Sequence, residues 1–305
     1  MTVRVGKVQV VRMYHITFKE FLRASDVQTF NFIEQINQPE KLPLIILDKL
    51  KSEYRRYMVS GGMPEAAVSM LENQGMQAVD DILQGILDLY ELDFAKYAEP
   101  REIPRIHAIW HSLPSQLAKE NRKFIYKIIK KGARSRDYED ALLWLEDAGM
   151  IYRVNAVSKP GMPLSAYEEP DIFKVYASDC GLLRQLAGLP GSIVIDPTSN
   201  YTEFKGAMAE NAVLQSLLPS YGSIPYYWTS EGKAEIEFLL QQEHEVVPVE
   251  VKAENCVSGR SIVVYNERYQ PKNRIRFSFL NLQQNCGMLA CPSPLAEWAM
   301  KWLIK

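Results

Sequence analysis

Glu245-Val246-Val247-Pro248-Val249-Glu250-Val251-Lys252 reads as a β-strand whose end puts Val249 and Val251 on one face and Glu250 and Lys252 on the other. The strand before it, residues 234–240, places Glu235 and Glu237 on one face and Ile236 and Phe238 on the opposite one. Charged residues on a half-buried strand can simply face water. An acidic residue, a twelve-residue gap and then Glu-x-Lys allow a second reading. Two carboxylates can hold Mg²⁺, which takes oxygen ligands in near-octahedral geometry. A neighbouring lysine can orient or deprotonate the attacking water and offset charge on a phosphate. Glu237, Glu250 and Lys252 are then the candidate catalytic residues, and Glu210, Glu237 and Glu250 the candidate metal ligands.

Outward from these strands the pattern is α/β. A helix is expected over residues 203–218, strands over 226–228, 234–240 and 245–252, a helix over 261–269, a strand over 274–282 and a closing helix over 295–304. This α-β-β-β-α-β order gives the weak Glu-x-Lys signal its context. Residues 191–200, with Gly, Pro, Ser and Asn, read as a linker. Before it, residues 124–131 and a segment capped by Ser135 read as two helices. Strands at 151–157 and 173–177 follow, with a Pro/Gly loop between them, which is a winged-helix order. Residues 65–118 carry helical periodicity through Leu83, Ile86, Leu87, Tyr90 and Phe94, then Ile106, Ile109, Trp110 and Leu113. Nearer the start, residues 4–13 alternate as a strand. Thr17-Phe18-Lys19-Glu20 has capping-box spacing, and a helix over 44–59 stops at Ser60-Gly61-Gly62.

Lys plus Arg number 35 and Asp plus Glu 37, so the net charge of −2 excludes a polybasic binder, and any nucleic-acid surface must be local. No apolar run approaches the length of a membrane span, and the charged first residues lack the apolar core of a secretory signal. Cys180, Cys256, Cys286 and Cys291 lie far apart with no CxxC, as expected of reduced thiols in a cytoplasmic protein.

The order of elements and the residues Glu210, Glu237 and Glu250-Val251-Lys252 resemble the PD-(D/E)xK restriction-endonuclease superfamily. Over nearly all 305 residues the chain also resembles the C-terminal two-thirds of prokaryotic AAA-family ATPases that carry domain of unknown function 4143. Five stretches carry that resemblance: Thr17-Phe18-Lys19-Glu20-Phe21-Leu22, Ser60-Gly61-Gly62-Met63-Pro64-Glu65-Ala66, Phe204-Lys205-Gly206-Ala207-Met208-Ala209-Glu210-Asn211, Tyr227-Trp228-Thr229-Ser230 and Pro248-Val249-Glu250-Val251-Lys252. It implies an α+β, multidomain chain. Residues 1–60 would be the remnant of an ATPase module, 61–190 a helical layer plus winged helix, and 191–305 a restriction-endonuclease-like α/β domain. Two departures follow. No G-x-x-x-x-G-K-[ST] occurs in the chain, so it is expected to be a fragment or the product of a gene lacking the front, with ATP bound only if an ATPase core is supplied in trans. Glu237 stands where the family usually has Asp, and the added methylene moves the carboxylate by about 1 Å, enough to cost about a hundredfold in rate.

Residues 119–136 hold eight basic residues and one acid, a net of +7, with Lys130, Lys131, Arg134 and Arg136 as candidate DNA contacts. The helix after them carries Asp137, Glu139, Asp140, Glu146 and Asp147 and no base, which does not suit a recognition helix. His107 and His111 have metal-ligand spacing, but no third ligand is near in sequence, and a solvated or core-rim pair is the plainer expectation. The favoured reading is a non-catalytic arm that engages a partner or nucleic acid. The alternatives are a Mg²⁺-dependent phosphodiesterase and a pure interaction module that forms a homo-oligomer.

Overall fold

The computed structural model describes residues 11–119, 123–199, 202–230, 234–253 and 259–303. Of the strand expected over 4–13, residues 4–10 lie outside this set and 11–13 form no strand. Thr17 caps α1 (Phe18–Ser25) with the full reciprocal box: its hydroxyl accepts the Glu20 N–H, and the Glu20 carboxylate accepts the Thr17 N–H. Five more helices follow as α2 (Val27–Glu34), α3 (Leu44–Ser60), α4 (Pro64–Leu71), α5 (Met76–Tyr97) and α6 (Ile103–Leu117). Gly61 ends α3 at φ +65°, where a Cβ would lie 1.9 Å from Asp179 Oδ1; a Cβ on Gly62 would lie 2.1 Å from the Ile16 carbonyl oxygen. Only glycine allows both approaches.

Next come α7 (Tyr126–Ile129), α8 (Glu139–Asp147), β1 (Ile151–Val157) and β2 (Glu168–Ala177), the expected helix, helix, hairpin sequence. Sequence periodicity did not indicate α9 (Cys180–Leu186) or α10 (Gly191–Ile195); the latter occupies part of the expected linker. The final third is α11 (Thr202–Tyr221), β3 (Tyr226–Thr229), β4 (Glu235–Gln241), β5 (Val246–Val251), α12 (Arg260–Tyr269), β6 (Arg274–Ser278), β7 (Gln283–Asn285), β8 (Met288–Pro292) and α13 (Ala296–Ala299). The strand expected over 274–282 ends at Ser278 as β6, the β7–β8 hairpin after it was not expected, and the expected closing helix is α13 flanked by 3₁₀ turns.

Among the described residues the chain is thus α+β, with thirteen α-helices and one eight-stranded mixed sheet in the order β2-β1-β3-β4-β5-β6-β8-β7. The β1–β2 hairpin is not a free wing, because Ala156 of β1 pairs in parallel with Tyr227 of β3. The N-terminal helices also fold back onto the end of the chain. Leu42 and Asn281 exchange two 2.9 Å hydrogen bonds, and Lys19 N–H donates to Glu297 at 2.8 Å. One buried apolar core accordingly runs from Phe18 to Leu303.

The central strands are covered on both faces. Phe238, Leu240, Val247, Val249 and Val251 join the large core on the side of α11. Trp228, Ile236, Leu239 and Val246 join Ile262 and Tyr265 of α12 in a second core. The regular alternation expected for β4 therefore fails at one point. Tyr226 pairs with Leu239 and Trp228 with Ile236, so Glu237 and Phe238 together oppose Tyr227. This β-bulge sends Ile236 and Phe238 to opposite cores rather than to one.

Candidate functional site

The bulge sets the position of Glu237, which is 6% exposed. Its Oε2 accepts the Val251 N–H at 3.1 Å, so the carboxylate joins the end of β4 to β5. Burial pushes its carboxyl up to about 7. The charges of Lys252 and Lys174 pull it back, and those of Glu235 and Glu250 push it further up.

Glu250 lies on the α12 side of the sheet and is fully buried, not the solvated group an exposed strand face would give. Arg276 Nε donates to its Oε2 at 2.8 Å, and Lys252 Nζ lies 3.2 Å from its Oε1. Gly259 opens α12 against this pair. A Cβ there would lie 1.7 Å from Arg276 Nη2 and 2.7 Å from Glu250 Oε2. Lys252 keeps a quarter of its side chain exposed, at the rim.

Glu210 of α11 belongs to a different set of contacts. The Tyr176 hydroxyl donates to its Oε2 at 3.0 Å, and Lys174 Nζ lies 4.0 Å from the same oxygen. Lys174 is fully buried, pairs with Glu235, and sits 4.9 Å above the Tyr227 ring. An ammonium inside a sheet is costly unless it is paired, and here the surrounding carboxylates meet that cost.

Glu237, Glu250 and Lys252 therefore lie near one another at one end of β4 and β5, whereas Glu210, on the α11 side, is linked to them through Lys174. Their negative charge is matched by Lys174, Lys252 and Arg276. Tyr176, Val251 and Arg276 already engage Oε2 of Glu210, Glu237 and Glu250, so a magnesium ion shared by the three would compete with these contacts or take the other carboxylate oxygens. Lys174 and Arg276 were not anticipated. Lys174 comes from a hairpin 61 residues before its partner Glu235, and its signal was one lysine inside the apolar run Ile172-Phe173-Lys174-Val175-Tyr176.

Lys130, Lys131, Arg134 and Arg136 are exposed on the turn after α7, with Arg136 Nε 3.8 Å from Asp137. Residues 120–122 of the basic segment lie outside the described set. The acidic α8 turns part of its charge inward: Glu139 accepts from Arg153 Nη1 at 2.6 Å and from the Tyr126 hydroxyl at 3.2 Å. Burial pushes the Glu146 carboxyl up.

Residues 51–192 match the family model described as Domain of unknown function (DUF8612), and residues 205–292 match Domain of unknown function (DUF4143). The expected likeness to the second family is thus met over the last third of the chain, whereas the middle matches a different model. No curated protein and no solved structure matches the chain. No helix among the described residues is long and apolar enough to cross a membrane.

Proposed function

We propose that this chain is the non-ATP-binding C-terminal portion of an AAA-family ATPase-like protein. In this reading it ends in an endonuclease-like unit that engages a partner or nucleic acid without cutting it. Support comes from the α11-β3-β4-β5-α12-β6 order and from the match of residues 205–292 to a domain that resembles the C-terminal region of such ATPases. The observation that carries the non-catalytic reading is Lys174. Its buried ammonium lies beside Glu210 and Glu235 and acts on the charge of Glu237, where a nuclease would need a divalent cation. Arg276 likewise hydrogen-bonds Oε2 of Glu250, and the Lys252 ammonium lies 3.2 Å from its Oε1, which accepts no hydrogen bond among the described residues.

The decisive experiment is Mg²⁺ titration of the full chain with plasmid DNA, reading both melting temperature and cleavage. Neither should respond. Mg²⁺-dependent cleavage that disappears in Lys252→Ala would replace this reading with a nuclease using Glu237, Glu250 and Lys252. DNA engagement would run through Lys130, Lys131, Arg134 and Arg136. Their joint replacement by Ala should weaken binding to all DNA sequences alike and flatten its salt dependence. Calorimetry should detect no ATP binding by the chain alone, since a Gly-rich phosphate loop is missing from its 305 residues.

A further inference from the structure

The helices α5 and α6 bring together three side chains that the sequence holds apart. Glu91 lies between the buried Leu87 and Phe94 of α5, and His107 and His111 flank the buried Trp110 of α6. His111 Nε2 is 3.0 Å from Glu91 Oε1, and His107 Nδ1 is 3.6 Å from Glu91 Oε2. One ligand atom from each residue lies within 4.8 Å of the other two, the one such His/Cys/Asp/Glu group among the described residues. The two imidazoles are 13° from parallel with centroids 6.2 Å apart, and the edge of Phe94 packs against His107 at 5.1 Å.

We propose that Glu91, His107 and His111 bind a zinc-class divalent cation that fastens α5 to α6. The donors are two imidazole nitrogens and one carboxylate, a set that suits Zn²⁺ and disfavours Mg²⁺ or Ca²⁺. Ligands about 2.0–2.1 Å from a tetrahedral ion stand roughly 3.3 Å apart, so closure needs only small rotations. His111, whose side chain is 54% exposed, is free to make them. Three protein ligands leave the fourth position to solvent. The core beneath, through Phe94, Trp110 and Leu113, holds the two helices in register whether or not the ion is bound.

A simple imidazolium–carboxylate cluster predicts the opposite pH response. Such a pair strengthens as pH falls, whereas metal binding requires neutral imidazoles, releases protons and strengthens as pH rises. The test is Zn²⁺ titration of the full chain by calorimetry, with Co²⁺ as a spectroscopic probe. One equivalent should bind at pH 7.5 and be lost by pH 5.5, unaffected by millimolar Mg²⁺. His111→Ala and Glu91→Gln alter partly exposed groups and should leave the metal-free melting temperature nearly unchanged. Each should weaken Zn²⁺ by about tenfold or more. Absence of saturable Zn²⁺ binding, or binding that survives both substitutions unchanged, would overturn the site.

Discussion

Arg276 donates from Nε to Oε2 of Glu250 at 2.8 Å, and the two residues are also register partners across the parallel β5–β6 ladder. Backbone pairing and the ion pair therefore fix each other. Removing one member of a buried pair costs more than the pair contributes, because the other charge stays buried. Arg276→Ala should destabilise the chain by about 3 kcal/mol. Glu250→Gln in the same background should recover part of that loss. Urea unfolding of the two variants and the unmodified chain checks this; a double variant no more stable than Arg276→Ala would contradict it.

Asp179 is the corresponding node for the N-terminal helices. Its Oδ1 accepts the N–H groups of Gly181 and Leu182 at 2.8 and 3.0 Å. Its Oδ2 accepts the Gly62 N–H at 2.7 Å and Gln215 Nε2 at 2.9 Å. Burial pushes the carboxyl up, but His15, whose Nδ1 is 3.5 Å away, and the backbone donors leave it below its ordinary value. A depressed carboxyl contributes stability above its unfolded pKa and loses it as pH falls through the folded one. Asp179→Asn turns one acceptor into a donor facing donors and should cost roughly 2–4 kcal/mol at pH 7. The difference from the unmodified chain should shrink below about pH 4. A difference independent of pH would show that the charge is irrelevant.

The local elements of this architecture were legible because each is written in a short window. The Thr17/Glu20 box lies within one turn, and the three strands before α12 announce themselves by β-branched and aromatic runs. What escaped depends on distant pairing. A period-two reading of β4 assumes an unbroken ladder, so it cannot reveal that Glu237 and Phe238 share one partner. Lys174 meets its carboxylates only because the β1–β2 hairpin joins the sheet through Ala156. The spacing of His107 and His111 was visible, but Glu91 reaches them only through the packing of α5 on α6. Glu-x-Lys was recognised; the further cations, Lys174 and Arg276, were not, because each comes from another strand.

Glu297 predicts a second pH dependence of opposite sign. It is largely buried against α1, and burial pushes its carboxyl up to about 7 despite the bond from Lys19 N–H. A raised carboxyl favours the fold while protonated. Its contribution is complete below the unfolded pKa of about 4.3 and is lost as pH rises through about 7. Glu297→Gln keeps an acceptor for Lys19 and removes the charge. It should be near neutral at pH 4.5 and stabilising at pH 8 by up to roughly 3 kcal/mol, a rise of a few degrees in melting temperature. Melting curves at the two pH values decide it; equal effects at both would sink the argument.

Lys174 separates a resident cation from an incidental one. Its ammonium is fully buried beside Glu210 and Glu235 and lowers the carboxyl of Glu237. Lys174→Met conserves the apolar stem and deletes the charge, leaving three carboxyl groups near one another without it. The variant should lose about 3 kcal/mol or more at pH 7. The loss should be smaller near pH 5, where the carboxyls can take up protons instead of repelling. If Lys174 holds the place of a divalent cation, the variant should acquire a response that the unmodified chain lacks. Mg²⁺ at tenfold excess over its dissociation constant would restore about 1.4 kcal/mol by binding the native state alone. The measurement is melting temperature against Mg²⁺ concentration for both chains at pH 7. A Mg²⁺ response of equal size in both would mean that Lys174 does not occupy the cation position. A variant as stable as the unmodified chain would mean that the carboxylates need no cation at all.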